Sequence, residues 1–148
     1  MSDINILLID DEQEFINALS ERLEMRDLKS NTALDGEQAL KIVGDQEPDI
    51  AILDLNMPGI NGMDVLRRLR RSYPHVQVII QTGHGNDLDE AEARELGVFD
   101  YLKKPVDIEL LVDRIRAAAK ALRVYDGMAA AAYAEAGEHD TARKMMRR

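Results

Sequence analysis

Short apolar runs alternate with amphipathic stretches along most of this 148-residue chain. Five of the runs have the length and the β-branched content of strands buried in a parallel sheet. They cover residues 4–9, 28–34, 50–53, 76–81 and 98–102, and the second is more polar, as is typical of a strand near an edge. Between them, apolar positions recur at helical spacing and predict helices over residues 12–26, 35–44, 62–71, 87–96 and 107–122.

Strand and helix alternate five times, which predicts an α/β fold with a doubly wound parallel sheet and helices on both faces. There are too few units for a barrel. Residues 123–148 form an alanine-rich, helix-prone tail, in which Gly137 is expected to separate two short helices. We therefore expect one domain over residues 1–122 and a short helical tail over 123–148 without a recognisable output domain. The tail is read either as an extension of the last helix or as a docking element.

Polar residues lie just beyond four of the predicted strands. Asp10 and Asp11 follow the first strand, Asp54 the third, Thr82 the fourth and Lys104 the fifth. Because the carboxyl ends of parallel strands meet at one edge of a sheet, these side chains are expected to converge. Carboxylate oxygens are better ligands for Mg²⁺ than for zinc. A carboxylate beside an ammonium and a hydroxyl group can act as the nucleophile in phosphoryl transfer, because the neighbouring groups stabilise the phosphoryl oxygens.

Five motifs together resemble the receiver domain of two-component response regulators, the CheY-like family. They are Leu8-Ile9-Asp10-Asp11-Glu12, the segment from Asp54 to Gly62 (DLNMPGING), Thr82-Gly83, Asp100-Tyr101-Leu102 and Lys103-Lys104-Pro105. They occur in the family's order and spacing over residues 4–122. The resemblance implies a flavodoxin-like sheet with the strand order 2-1-3-4-5.

The resemblance also implies which residues hold the metal ion and accept the phosphoryl group. Asp54 matches the phosphoacceptor. Asp11, Asp54 and the backbone carbonyl of Asn56 match the ligands of a Mg²⁺ ion, and Asp10 is expected to act on it through water.

A second set of residues matches the family's switch. Thr82 is similar to the hydroxyl that turns toward the new phosphoryl group, and Lys104 to the invariant lysine. Tyr101 resembles the aromatic residue that rotates inward when about 1.5 to 2 negative charges are added. Asn56 and His84 match positions that in this family influence how long the phosphoryl group lasts, although exposure in a loop is the simpler interpretation of His84.

Composition narrows the class of protein. The net charge of −9 argues against a nucleic-acid-binding surface, and without cysteine the chain has neither disulfides nor thiolate metal sites. No apolar stretch is long enough to cross a membrane and no leader is recognisable, so a cytoplasmic location is expected.

The resemblance implies a phosphorylation-switched signalling protein with no enzymatic role beyond its own phosphorylation and slow autodephosphorylation. Its expected partners are a sensor histidine kinase or phosphotransfer protein, a downstream protein and, as an open alternative, a second copy through residues 87–122. Two other functions remain open. One is a degenerate receiver that binds partners constitutively. The other is a Mg²⁺-dependent aspartyl-phosphate hydrolase, which typically needs an acid where this chain has Asn56.

Overall fold

Five parallel strands and five helices alternate along the chain in the computed structural model, which describes residues 4–83 and 85–135. The strands are β1 (Ile6–Ile9), β2 (Ser30–Ala33), β3 (Ile50–Leu53), β4 (Gln77–Thr82) and β5 (Asp100–Lys103). The helices are α1 (Gln13–Glu24), α2 (Gly36–Asp45), α3 (Gly62–Ser72), α4 (Asp87–Glu95) and α5 (Ile108–Glu135). The strand order β2-β1-β3-β4-β5 with parallel pairing confirms the predicted flavodoxin-like, doubly wound sheet.

Alternate residues of the central strands pack against helices on opposite faces of the sheet. Ile6, Leu8, Ile50, Ile52 and Ile79 belong to an apolar cluster with residues of α1 and α5. The intervening residues of the same strands pack with α2, α3 and Ala93 of α4. This two-sided burial explains why these strands are almost continuously apolar rather than alternating.

Side-chain caps begin four of the helices, including α5, where Asp107 accepts a hydrogen bond from the Leu110 amide at 3.3 Å. Asp35 accepts a hydrogen bond from the Gln38 amide at 2.7 Å, and Asn61 accepts one from the Met63 amide at 2.9 Å. Asn86 caps α4 by accepting a hydrogen bond from the Asp89 amide at 2.8 Å. Each cap satisfies one of the free amide groups at a helix start and so fixes where the helix begins.

The structure corrects several predicted boundaries by one or two residues. The clearest case is β5, which begins at Asp100 rather than at residue 98. The amide of Val98 donates to the Ala93 carbonyl and that of Gly97 to the Arg94 carbonyl, which closes α4 in a Schellman motif with Gly97 at a φ of +86°. Since its amide is used by this cap, Val98 does not join the sheet.

The last helix differs most from its prediction, because α5 continues past residue 122 to Glu135. Its 28 residues correspond to about 42 Å at 1.5 Å per residue. The predicted break at Gly137 and the rest of the predicted tail lie outside the described residues, and the domain boundary at residue 122 stays a prediction. Within the described part of the chain, no helix is both long and apolar enough to cross a membrane.

Candidate functional site

Register places the polar strand ends side by side at the carboxyl edge of the sheet. Ile9 pairs with Leu53, Leu53 with Ile80 and Ile80 with Tyr101, so the residues that follow them lie at one level. Asp10 and Asp54 are each only 5% exposed there. The two carboxylates are therefore held close together by the backbone of a rigid parallel sheet.

The ammonium of Lys104 lies between these two carboxylates. Its Nζ atom is 2.6 Å from Asp10 Oδ2 and 3.2 Å from Asp54 Oδ2, with Glu12 Oε1 at 3.6 Å. The same atom lies 4.3 Å from the centre of the Phe15 ring, a cation–π contact. Lys104 is thus the cation that meets the buried acids, as the sequence predicts, and Asp10 is its closer partner.

Backbone amides hold the other oxygen of each carboxylate. The Glu12 amide donates to Asp10 Oδ1 at 2.9 Å, and the Asn56 amide donates to Asp54 Oδ1 at 3.0 Å. In each case the donor lies two residues beyond the acid, in the loop that leaves the strand. Each carboxylate is therefore fixed from one side by its own loop and from the other by Lys104.

The charge balance of the site is visible in its pKa shifts. Burial raises the pKa of the Asp10 carboxyl and the nearby Asp54 charge adds to this, so the bonds from Lys104 and the Glu12 amide offset the effect only in part. For Lys104, burial alone lowers the pKa, but its bonds to Asp10 and Asp54 together raise it above the ordinary value. The site is short of positive charge and has capacity for a second cation.

Three acidic residues could ligate that second cation. Within the described residues, ligand oxygens of Asp10, Glu12 and Asp54 lie within 4.8 Å of one another. An all-oxygen donor set of this kind fits a hard divalent cation. Asp11 is exposed and lies outside this cluster, whereas Glu12 was not predicted to take part. The proposed ligand roles of Asp11 and of the Asn56 carbonyl stay predictions.

The two predicted switch residues are buried beside each other. Thr82 is the last residue of β4, and Tyr101 lies in β5 with its side chain in the cluster that faces α2, α3 and α4. Among the described residues, neither the Thr82 nor the Tyr101 hydroxyl has a hydrogen-bond partner. Leaving a hydroxyl buried and unpaired costs about 1–3 kcal/mol, so both hydroxyls are available to a further hydrogen-bonding partner.

Tyr101 already lies inward in this structure, although an inward rotation was expected only as part of the switch. Burial raises the pKa of its phenol, and the charges of Asp89 and Glu90 add to this effect. The ring is accommodated because residue 85 is glycine. A Cβ built there would overlap the Tyr101 hydroxyl and lie 3.0 Å from Thr82 Cγ2.

Replacing Gly85 with alanine is therefore expected to drive Tyr101 out of its inward position. Its phenol would become solvated, and its pKa would fall toward the ordinary value near 10 because the largest cause of its shift is removed. NMR titration of ¹³C-tyrosine-labelled protein would follow this residue, with Tyr101→Phe to assign its signal.

Gly83→Ala provides the matched control for that substitution. A Cβ at residue 83 has its nearest neighbour, Lys104 Cβ, at an ordinary 3.8 Å. The control should leave the Tyr101 titration unchanged. An unchanged titration in Gly85→Ala as well would contradict the packing argument.

Two further residues at the site were not predicted. The sequence predicts Phe15 to be an ordinary core residue of α1, yet its ring contacts the Lys104 ammonium. Gln81 is 4% exposed beside the acids, and the only signal in the sequence is a polar residue that ends an apolar run. Lys103 is exposed, as expected for a solvated neighbour of Lys104. His84 lies outside the described residues.

The geometry defines a doubly wound α/β protein with an acidic, lysine-bridged site at the carboxyl edge of its sheet. Residues 6–116 match the model of the response regulator receiver domain. The chain is 45% identical over 112 residues to the transcriptional regulatory protein CpxR of Escherichia coli K12. The alignment covers 76% of this chain and 47% of CpxR. It is 38% identical over 113 residues to the transcriptional regulatory protein AfsQ1 of Streptomyces coelicolor, covering 76% of this chain and 50% of AfsQ1.

Solved structures give the same result. A response regulator receiver domain protein from Clostridium thermocellum superposes with a TM-score of 0.78 at 34% identity, covering 82% of this chain and 98% of that one. A CheY-like receiver domain protein from Methanospirillum hungatei superposes with a TM-score of 0.79 at 21% identity, covering 82% and 97%, and shows the shared fold. This chain belongs to the receiver domain family of two-component response regulators. It spans about half the length of the curated relatives described above.

Proposed function

We propose that Asp54 accepts a phosphoryl group from a phosphohistidine on a sensor histidine kinase or phosphotransfer protein. The observation that carries this proposal is the buried Asp54 carboxylate, which shares the Lys104 ammonium with Asp10 at the carboxyl edge of the sheet. A carboxylate oxygen of Asp54 attacks phosphorus, the phosphorus–nitrogen bond breaks, and the imidazole leaves with its electron pair and takes up a proton.

The residues around Asp54 support such a transfer. Lys104 can turn from Asp10 to an oxygen of the incoming group, and the unpaired Thr82 hydroxyl can donate to another. A bound Mg²⁺ ion would neutralise charge on the phosphoryl oxygens. Asp10, Glu12 and Asp54 provide oxygens for such an ion in the structure, and the family pattern adds Asp11 and the Asn56 carbonyl.

We further propose that the receiver signals through protein contacts. Phosphorylation would add negative charge beside Thr82 and alter the surface formed by α4, β5 and the start of α5. Residues 87–122 include this surface and would also provide a contact to a second copy. CpxR and AfsQ1 are transcriptional regulators by name, so control of transcription is the second candidate output. This acidic domain would exert such control through protein contacts rather than through direct contacts with nucleic acid.

Incubation with acetyl phosphate and Mg²⁺ is expected to add the mass of one phosphoryl group to the intact protein. Chelation with EDTA should prevent the gain, and peptide mapping should place it on the segment that contains Asp54. Slow loss of the group after removal of the donor would report autodephosphorylation. No gain at saturating Mg²⁺ would contradict the proposal and favour a degenerate receiver, whereas continuous rapid release of phosphate would favour a hydrolase.

A further inference from the structure

Gln81 lies in the same row of side chains as the two buried acids. Residues 77, 79 and 81 of β4 alternate with 78, 80 and 82, and Ile79 belongs to the cluster on the α1 and α5 face. Asp10 and Asp54 continue the positions of Leu8 and Ile52 on that face. Because Leu53 pairs with Ile80, Gln81 lies beside Asp54 on the neighbouring strand.

The side-chain oxygen of Gln81 is an unused hydrogen-bond acceptor. The residue is 4% exposed, and its Oε1 atom is buried without a hydrogen-bond partner among the described residues. Gln81 and the two acids line one hollow of about 10 Å³, together with Phe15. Asp10, Phe15 and Asp54 also contact the Lys104 ammonium. Gln81 and the ammonium therefore share the same neighbours.

A divalent cation would compete with the Lys104 ammonium for the same carboxylates. The Lys104 ammonium already lies 2.6 Å from Asp10 and 3.2 Å from Asp54, two of the three acids that could ligate the ion. Two cations on the same buried carboxylates repel each other strongly where solvent screening is weak. The ammonium must then leave at least one carboxylate, and it needs another acceptor because an unpaired buried charge is costly.

We propose that Gln81 is a positioning residue, whose Oε1 atom accepts a hydrogen bond from Lys104 when a divalent cation takes Asp10 and Asp54. This inference rests on the proposed function, since it assigns a further residue to the same site. β4 lies between β3 and β5, so the acceptor stands between Asp54 and the strand that Lys104 follows. A neutral amide suits this task because it accepts from the ammonium without adding a fourth negative charge.

Mg²⁺ affinity measured by isothermal titration calorimetry tests this role without relying on phosphorylation. Gln81→Met, which keeps the size of the side chain but removes the acceptor, is expected to weaken Mg²⁺ binding about 3- to 10-fold. The loss should disappear on a Lys104→Met background, because no ammonium then competes for the acids. Gln81→Glu, which keeps an acceptor, should not weaken Mg²⁺ binding.

The core control is Ile79→Val, two residues earlier on the same face of β4, which should leave the Mg²⁺ affinity unchanged. An unchanged affinity in Gln81→Met would overturn the inference, and so would an equal loss with and without Lys104, which would mean a merely structural effect. If the wild-type protein neither binds Mg²⁺ nor gains a phosphoryl group, the proposed function itself fails and this inference fails with it.

Discussion

Asp54→Asn is expected to abolish the gain of a phosphoryl group while leaving the domain about as stable as the wild type. The asparagine amide is not a nucleophile, so no acyl phosphate can form. Its Oδ1 atom can still accept from the Asn56 amide, which holds Asp54 Oδ1 at 3.0 Å. Lys104 keeps its shorter contact, 2.6 Å to Asp10. Intact mass after acetyl phosphate treatment and urea unfolding would measure the two effects.

The expected stability of the Asp54→Asn variant follows from the charges buried at the site. Asp10 and Asp54 are like charges buried beside one ammonium, and Asp54 is one of the causes that raise the pKa of Asp10. Removing one charge leaves a balanced Asp10–Lys104 pair, so we expect the free energy of unfolding to change by no more than about 1 kcal/mol. A large loss would mean that the three charges stabilise the fold as a unit.

Asp49→Asn is the matched control, since Asp49 precedes the same strand at the opposite edge of the sheet. Its Oδ2 atom accepts from the Asn5 amide at 2.9 Å, well away from the lysine-bridged site. This variant should take up the phosphoryl group normally. Persistent uptake in Asp54→Asn would show that a different group, such as Asp10 or Asp11, is the acceptor.

The sheet and its polar edge were predictable because their signals are local. A run such as Ile50–Leu53 is apolar at every position, which distinguishes a strand covered on both faces. The residue that follows each strand is then fixed at the carboxyl edge by the parallel topology. Asp10, Asp54 and Lys104 came together in the structure for this reason, without any need to know their side-chain conformations.

The choice among neighbouring acids depends on side-chain direction, which composition does not reveal. The chain bends at Asp11, between the end of β1 and Glu12. The amide of Glu12 donates to Asp10 Oδ1 at 2.9 Å, and the Glu12 carboxylate lies with Asp10 and Asp54 in the acidic cluster, whereas Asp11 is exposed.

The last helix was predicted to end near residue 122, with the alanine-rich stretch beyond it read either as an extension of that helix or as a docking element. Gly127 lies within the helix, yet the helix continues to Glu135. A glycine costs about 1 kcal/mol in a helix, and several alanines on one side of it can offset this. Helix ends are better predicted from complete capping motifs, such as the one at Gly97, than from isolated glycines.

Gly62→Ala should have the largest effect on stability among single-methyl substitutions in the loop after β3. A Cβ at this position would overlap the Cα and O atoms of Leu55 and lie 2.7 Å from its carbonyl carbon. These are backbone atoms and cannot rotate away, so either α3 or the segment after Asp54 must move. We expect a loss of about 3 kcal/mol or more in the free energy of unfolding, measured from the urea midpoint at an unchanged slope.

Gly59→Ala in the same loop separates this packing effect from backbone strain. Gly59 has a φ of +79°, but a Cβ there meets no atom within 4 Å, so only the left-handed conformation is penalised, by about 1 kcal/mol. Because Leu55 adjoins Asp54, Gly62→Ala should also slow phosphoryl uptake, whereas Gly59→Ala should affect it far less. Equal losses of stability in the two variants would mean that close contact with Leu55 is not the reason for glycine at residue 62.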